Sequence, residues 1–182
     1  MKINTFVDNI AIILDGDPYS GATSILLGKK KPKKKTDEKR RRKKIGSGLW
    51  GMPGGGKKPR DKSHKHAVQR EIREETHLRV PLRLFRKVVI LKGYFDDVII
   101  PNRIVHVYVA IVDKPWSICP GKEYEKLEWF PINRIPFNEM LQGDRDWLNR
   151  AIAGEKLMVE VFFGGDDRMF LRTVVRAILS FN

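Results

Sequence analysis

Apolar and polar positions change period along the chain, and the changes mark out its elements. The stretch 6–14 is a β-rich run, and 24–27 is expected to pair with it across the turn Asp15-Gly16-Asp17-Pro18. After an uninterrupted polar stretch, 45–53 leads into three glycines, Gly54-Gly55-Gly56. Ser63 is a candidate N-cap for a helix running to about Thr76, with Ala67, Val68 and Ile72 on its buried stripe. Two longer strands are predicted at 82–94 and 103–112. The second alternates, placing Val105, Val107, Val109 and Ile111 on one face. A short strand at 128–130 ends at Pro131, a helix is expected at 144–153, a strand at 158–163 and a closing helix at 169–179. Strands on either side of one central helix, with another helix at the end, predict an α/β/α sandwich around a mixed β-sheet. No internal repeat is evident.

Composition changes this picture little. The 182 residues are 41% apolar, enough for one sizeable core, so residues 1–182 are read as one domain. No segment approaches the roughly 20 apolar residues of a membrane span, and 1–4 opens no run of signal-peptide type. A lone cysteine, Cys119, fits a reducing compartment, so the expected location is cytoplasmic, or nuclear if the cell is nucleated.

The formal net charge of +14 is concentrated in one place. Residues 29–44 hold twelve Lys or Arg against Asp37 and Glu38, a local +10, so the rest of the chain carries only +4. With no apolar residue to bury, that run is expected to be a mobile, self-repelling insertion. It is either a solvated loop or a guide for a polyanion, meaning a polyphosphate substrate or RNA. It contains no aromatic residue, so base stacking there is unsupported.

The chemistry lies downstream. Residues 70–75 read Arg-Glu-Ile-Arg-Glu-Glu, and on a helix Glu71, Glu74 and Glu75 are neighbours. Their repulsion can be offset in two ways: by arginines pairing with the acids on an exposed helix, or by a hard divalent cation such as Mg²⁺, with a substrate that brings its own phosphates. His64, His66, His77 and His106 show no zinc spacing and are read as surface residues.

With the glycines, this stretch resembles the Nudix box of Nudix hydrolases: G, five residues, E, seven residues, then R-E-apolar-x-E-E-x-G-apolar. From Gly56, residues 70–78 fall in register. The first glutamate is Lys62, or Asp61 in a register with one insertion, and the late glycine is His77, which would need a left-handed backbone. Beyond the box the chain is similar to MutT-type oxidised-purine nucleoside triphosphatases, on the run 129–140 (WFPINRIPFNEM) with Asp144 and Trp147, on Leu26-Leu27-Gly28-Lys29-Lys30, and on Leu49-Trp50. Where that group has a tryptophan and two aspartates, this chain has Leu141, Gly143 and Asp144, and Gly51 replaces an asparagine. Selectivity for 8-oxo-dGTP and a broader nucleotide preference therefore both stay open.

The resemblance implies Mg²⁺-dependent (or Mn²⁺-dependent) hydrolysis of nucleoside triphosphates to monophosphate and pyrophosphate. Glu71, Glu74 and Glu75 with the Gly55 carbonyl would hold the metal. Arg70 would orient a carboxylate, and Glu123, or failing it Glu125, would add a ligand or general base. Lys30 and Gly54 would meet the phosphates. Asp144 would meet the base, unless it is a helix N-cap. Two alternatives accompany this reading: an RNA 5′-end pyrophosphohydrolase guided by the basic run, and a weakly active polyanion-binding module.

Overall fold

The computed structural model describes residues 5–16, 23–32, 46–95, 99–113, 117–164 and 169–181. Its strands and helices are β1 (Phe6–Asp15), β2 (Ser24–Lys30), β3 (Trp50–Gly51), β4 (Gly54–Gly56), α1 (His64–Thr76), β5 (Arg86–Phe95), β6 (Arg103–Val112), β7 (Tyr124–Pro131), α2 (Leu148–Ile152), β8 (Leu157–Gly164) and β9 (Met169–Ala177). The strands form one mixed sheet in the order β3-β2-β1-β6-β5-β8-β9, with β4 against β1 and β7 against β2. The pairs β1–β6 and β5–β8 are parallel.

β1 sits at the centre because its apolar run is continuous rather than alternating. Ala11 and Ile13 pack on one face with Leu26, Val68, Ile72 and Tyr108, beneath α1. Ile12 and Leu14 pack on the other with Ile25, Leu27, Val107, Trp147 and Leu148, beneath α2 and its preceding turns. A strand buried on both faces needs apolar residues at every position. Helices on both faces give the expected α/β/α sandwich. Val105, Val107 and Val109 share the α2 face, as their alternation predicts.

The ends of α1 follow local chemistry. Ser63 is extended and its Oγ accepts from the His66 N–H at 3.3 Å. His77 closes the helix in the left-handed region, with φ 61°, and its N–H reaches the Arg73 carbonyl at 3.2 Å.

Some expectations change. The closing helix expected at 169–179 is strand β9. Thr173, Val174 and Val175 are β-branched, and their backbone completes the free edge of β8 from Gly164↔Met169 to Leu157↔Ala177. The helix expected at 144–153 is a 3₁₀ turn, Gln142–Asp146, followed by the five-residue α2. A 3₁₀ turn aligns residues three apart, so Asp144 and Trp147 point the same way. The strand expected at 82–94 starts later, after a 3₁₀ turn at Leu82–Leu84. The basic insertion expected from 29 starts later too, because Lys29 and Lys30 belong to β2. The rest of the basic run, 33–44, and the turn residues Asp17 and Pro18 lie outside the described residues.

Candidate active site

The glycine strand β4 lies antiparallel to β1, with Gly54 opposite Ile10 and Gly55 opposite Asn9. Gly54 has φ 151°, and a Cβ there would sit 2.1 Å from the Asn9 carbonyl oxygen, so only glycine fits. The close approach leaves the Gly54 N–H aimed at Glu75 Oε2, 2.7 Å away. At Gly55 a Cβ would lie 2.8 Å from the Glu71 carboxyl carbon. The bare backbone at 54–55 thus faces two carboxylates of α1.

Asn9 supports this backbone from behind. It is fully buried, and its Nδ2 donates to the Gly55 carbonyl at 3.3 Å. Its Oδ1 lies 2.9 Å from His64 Nδ1, which must therefore carry the ring proton. Sequence reasoning missed Asn9; the available signal was one amide at the start of an otherwise apolar central run.

Arg70 is buried and organises the acids beside it. Its Nε and Nη2 donate to Asp61 at 3.0 and 2.9 Å, and Nη2 also donates to the Gly56 carbonyl at 3.0 Å. Its Nη1 donates to Glu71 at 2.5 Å and Glu74 at 3.1 Å. Asp61, not Lys62, is thus the acid that meets the arginine. The Arg70 hydrogen bonds hold the Asp61 carboxyl well below the usual range.

The three glutamates of α1 have different surroundings. Glu74 faces outward, accepting from Lys58 Nζ at 3.1 Å and Arg60 Nη2 at 3.3 Å. Burial pushes its pKa up, and Lys58 and Arg70 more than offset this. The arginine-pairing alternative therefore describes Glu74. Arg73 has no acidic partner among the described residues. Glu75 is buried, and desolvation lifts its pKa to about 7, with the Gly54 N–H and Lys30 acting against and Glu123 and Glu71 adding to the lift.

A cleft of about 360 Å³ opens in front of this group. Lys30, Gly54, Gly55, Glu123 and Asp144 line it, over a floor that includes Ile10, Leu91, Val105 and Trp147. Glu125 is exposed and does not line it. Asp144 does not cap α2, which has no side-chain cap. Its carboxyl is buried, and desolvation raises it to about 7 against the pull of Lys30 and Trp147. The Trp147 indole nitrogen lies near this carboxyl without completing a hydrogen bond.

The histidines do not all lie at the surface. His106 packs against His64 in a tilted contact with ring centroids 4.1 Å apart, and burial, then Lys87 and His64, push it down to about 4.

The donor set suits a hard divalent cation. It offers only oxygens, from Glu71, Glu75, Glu123 and the Gly55 carbonyl, with no thiolate or imidazole. Among the described residues no three acidic, His or Cys side chains already converge on one point as a closed metal site. Burial is the main cause of the Glu75 lift, and the repulsion from Glu123 and Glu71 that adds to it is charge a cation would neutralise.

The NUDIX domain family matches residues 11–151. No curated protein matches the sequence. The fold is similar to that of the mutator MutT protein from Bacillus halodurans, at 19% identity over 93% of this chain and 97% of that one, with a TM-score of 0.67. It is also similar to a MutT/nudix family protein from Enterococcus faecalis, at 16% identity over 71% of this chain and TM-score 0.53. A third likeness is to a bifunctional NMN adenylyltransferase/ADP ribose pyrophosphatase from Francisella tularensis, complexed with AMP and a Mn ion, at 21% identity over 85% of this chain and TM-score 0.58. The chain spans 45% and 42% of the length of those last two.

Proposed function

The chain belongs to the NUDIX domain family, and on that premise we propose that it is a nucleotide pyrophosphohydrolase that hydrolyses nucleoside triphosphates to monophosphate and pyrophosphate with Mg²⁺. Oxidised purine nucleotides such as 8-oxo-dGTP fall within this substrate class. The observation that carries the reading is Glu75: a buried carboxylate bonded to the Gly54 N–H, lifted to about 7, beside Glu71 and Glu123 at the edge of a nucleotide-sized cleft.

In this reading Glu71, Glu75, Glu123 and the Gly55 carbonyl would hold Mg²⁺, and Glu74 would add a further oxygen in place of its Lys58 and Arg60 contacts. Mn²⁺ suits the same oxygens, and the Francisella tularensis protein was solved with it. When bound, the metal supplies positive charge against the phosphates and acidifies a coordinated water. Arg70, fixed by Asp61 and Gly56, holds Glu71 and Glu74 in place. Water attacks one phosphorus, the bridging P–O bond breaks, and Glu123 or Glu71 accepts the water's proton. Lys30 and the Gly54 backbone meet the phosphates, and Asp144 meets the base at the cleft floor.

The test is a substrate panel with Mg²⁺: ordinary and 8-oxo nucleoside triphosphates, ADP-ribose and 5′-triphosphate RNA. The expected result is monophosphate plus pyrophosphate from a triphosphate, with Glu75→Gln lowering kcat by roughly 100-fold, about 2.7 kcal/mol of barrier. Faster release from RNA 5′ ends would replace the free nucleotide with RNA as substrate. Faster cleavage of ADP-ribose would move the reading to nucleoside diphosphate sugars. No turnover of any member, with the fold intact, would leave a binding module.

A further inference from the structure

On the opposite side of α1 from Glu71 and Glu75 is a groove of about 530 Å³, between the helix and the segment that follows His77. Its wall includes His66, Gln69 and Arg73 from the helix and Leu78, Arg79 and Val80 from the segment, and no carboxylate lines it. At about 100° per residue, positions 66 and 73 lie within roughly 20° of each other, whereas 71 and 75 are about 160° from 73.

The groove has a fixed shape. Leu78 and Val80 are buried in the core, which leaves Arg79 between them exposed. The Gln69 amide donates to the Val80 carbonyl at 2.9 Å and ties the segment to the helix. Arg70 also lines the groove, but its charge is answered by Asp61, Glu71 and Glu74. Arg73 and Arg79 have no acidic partner among the described residues. The ring of His66 is engaged at Nδ1 by Ser63, leaving only Nε2 for a ligand.

We propose that this groove binds the phosphate backbone of a single-stranded polynucleotide. The helix places His66 and Arg73 seven residues apart, about 10 Å along its axis. That span exceeds the gap between neighbouring phosphates, so it covers more than one phosphate of a strand and is too long for one small anion. The lining contains no Phe, Tyr or Trp, so the contact would be mainly electrostatic and indifferent to sequence.

The experiment measures binding of a fluorescein-labelled oligouridylate to the full chain by anisotropy across a salt series. Single strands contribute a slope of about 0.7 in log K against log salt for each phosphate neutralised. Arg73→Ala with Arg79→Ala is therefore expected to reduce the slope by about 1.4 and to weaken binding about tenfold at low salt. Arg86→Ala with Arg134→Ala removes the same charge from other exposed positions and is expected to change the slope far less. Circular dichroism checks the fold. If the double variant is unfolded, Arg79→Ala alone is read, with an expected reduction of about 0.7. Equal losses in both pairs would mean attraction by net charge and would overturn the groove. So would an unchanged slope in the groove variant, or no binding by the wild type.

Discussion

Asp144 shows how one buried carboxyl links the cleft to stability. Its folded pKa is about 7 against an ordinary 3.8, because burial disfavours the charged form. Between about pH 4 and 7 the folded chain holds a proton that the unfolded chain has released, so stability falls as pH rises through that window and is level above it. Asp144→Asn removes the titration. Its gain in unfolding free energy is expected to reach on the order of 4 kcal/mol at about pH 8 and to vanish below about pH 4. Denaturant melts of both proteins at the two ends of the window check this, and a gain that ignores pH would refute the assignment. Asp61 behaves in the opposite sense. Its depressed pKa contributes stability above its ordinary range and loses it as the solution is acidified.

At the scale of elements, α1 serves two environments. One side carries Ala67, Val68 and Ile72 into the core, while Glu71 and Glu75 look across at the glycine backbone. Its end depends on His77, a side-chain-bearing residue at φ 61°, whose Nδ1 is 2.9 Å from the Cys119 carbonyl. Putting the β-branched valine at position 77 is expected to cost about 1–2 kcal/mol, since that backbone crowds a branched Cβ. For a chain of this size each kcal/mol is about 3 °C in Tm. His77→Gly relieves the backbone but forfeits the Cys119 contact, so its Tm should stay near wild type. Thermal melts of the two variants decide it; equal losses in both would show that the side-chain bond, not the backbone, matters there.

At the scale of the molecule, folding brings distant acids together: Glu123 and Asp144 line the cleft, and Glu71 and Glu75 lie against its Gly54–Gly55 wall. Glu71 and Glu75 come from α1, Glu123 from the approach to β7 and Asp144 from the turn before α2. If this assembly binds Mg²⁺ only when folded, millimolar Mg²⁺ at a hundredfold excess over Kd adds about 2.7 kcal/mol. That is about 8 °C in Tm. Glu75→Gln should lose most of the increment. A wild-type Tm that ignores Mg²⁺ and Mn²⁺ would remove the metal from the proposal.

Local sequence was enough for what depends on neighbours in the chain. It showed the β-rich run of β1, the Ser63 cap, the alternation of β6 and the glycine-to-glutamate spacing, because each is dictated within a few residues; the left-handed end of α1 was implied by the resemblance, whose pattern has glycine at position 77. Partners decided the rest. Residues 169–177 became a strand because β8 had an edge to complete, and Asp144 became a buried cleft carboxyl because a 3₁₀ turn aligned it with Trp147. Asn9, the choice of Asp61 over Lys62 and the separate surroundings of Glu74 and Glu75 emerge only when β1, β4 and α1 pack together. Electrostatics and burial are set by what folding brings close in space, and no window along the chain contains that distance.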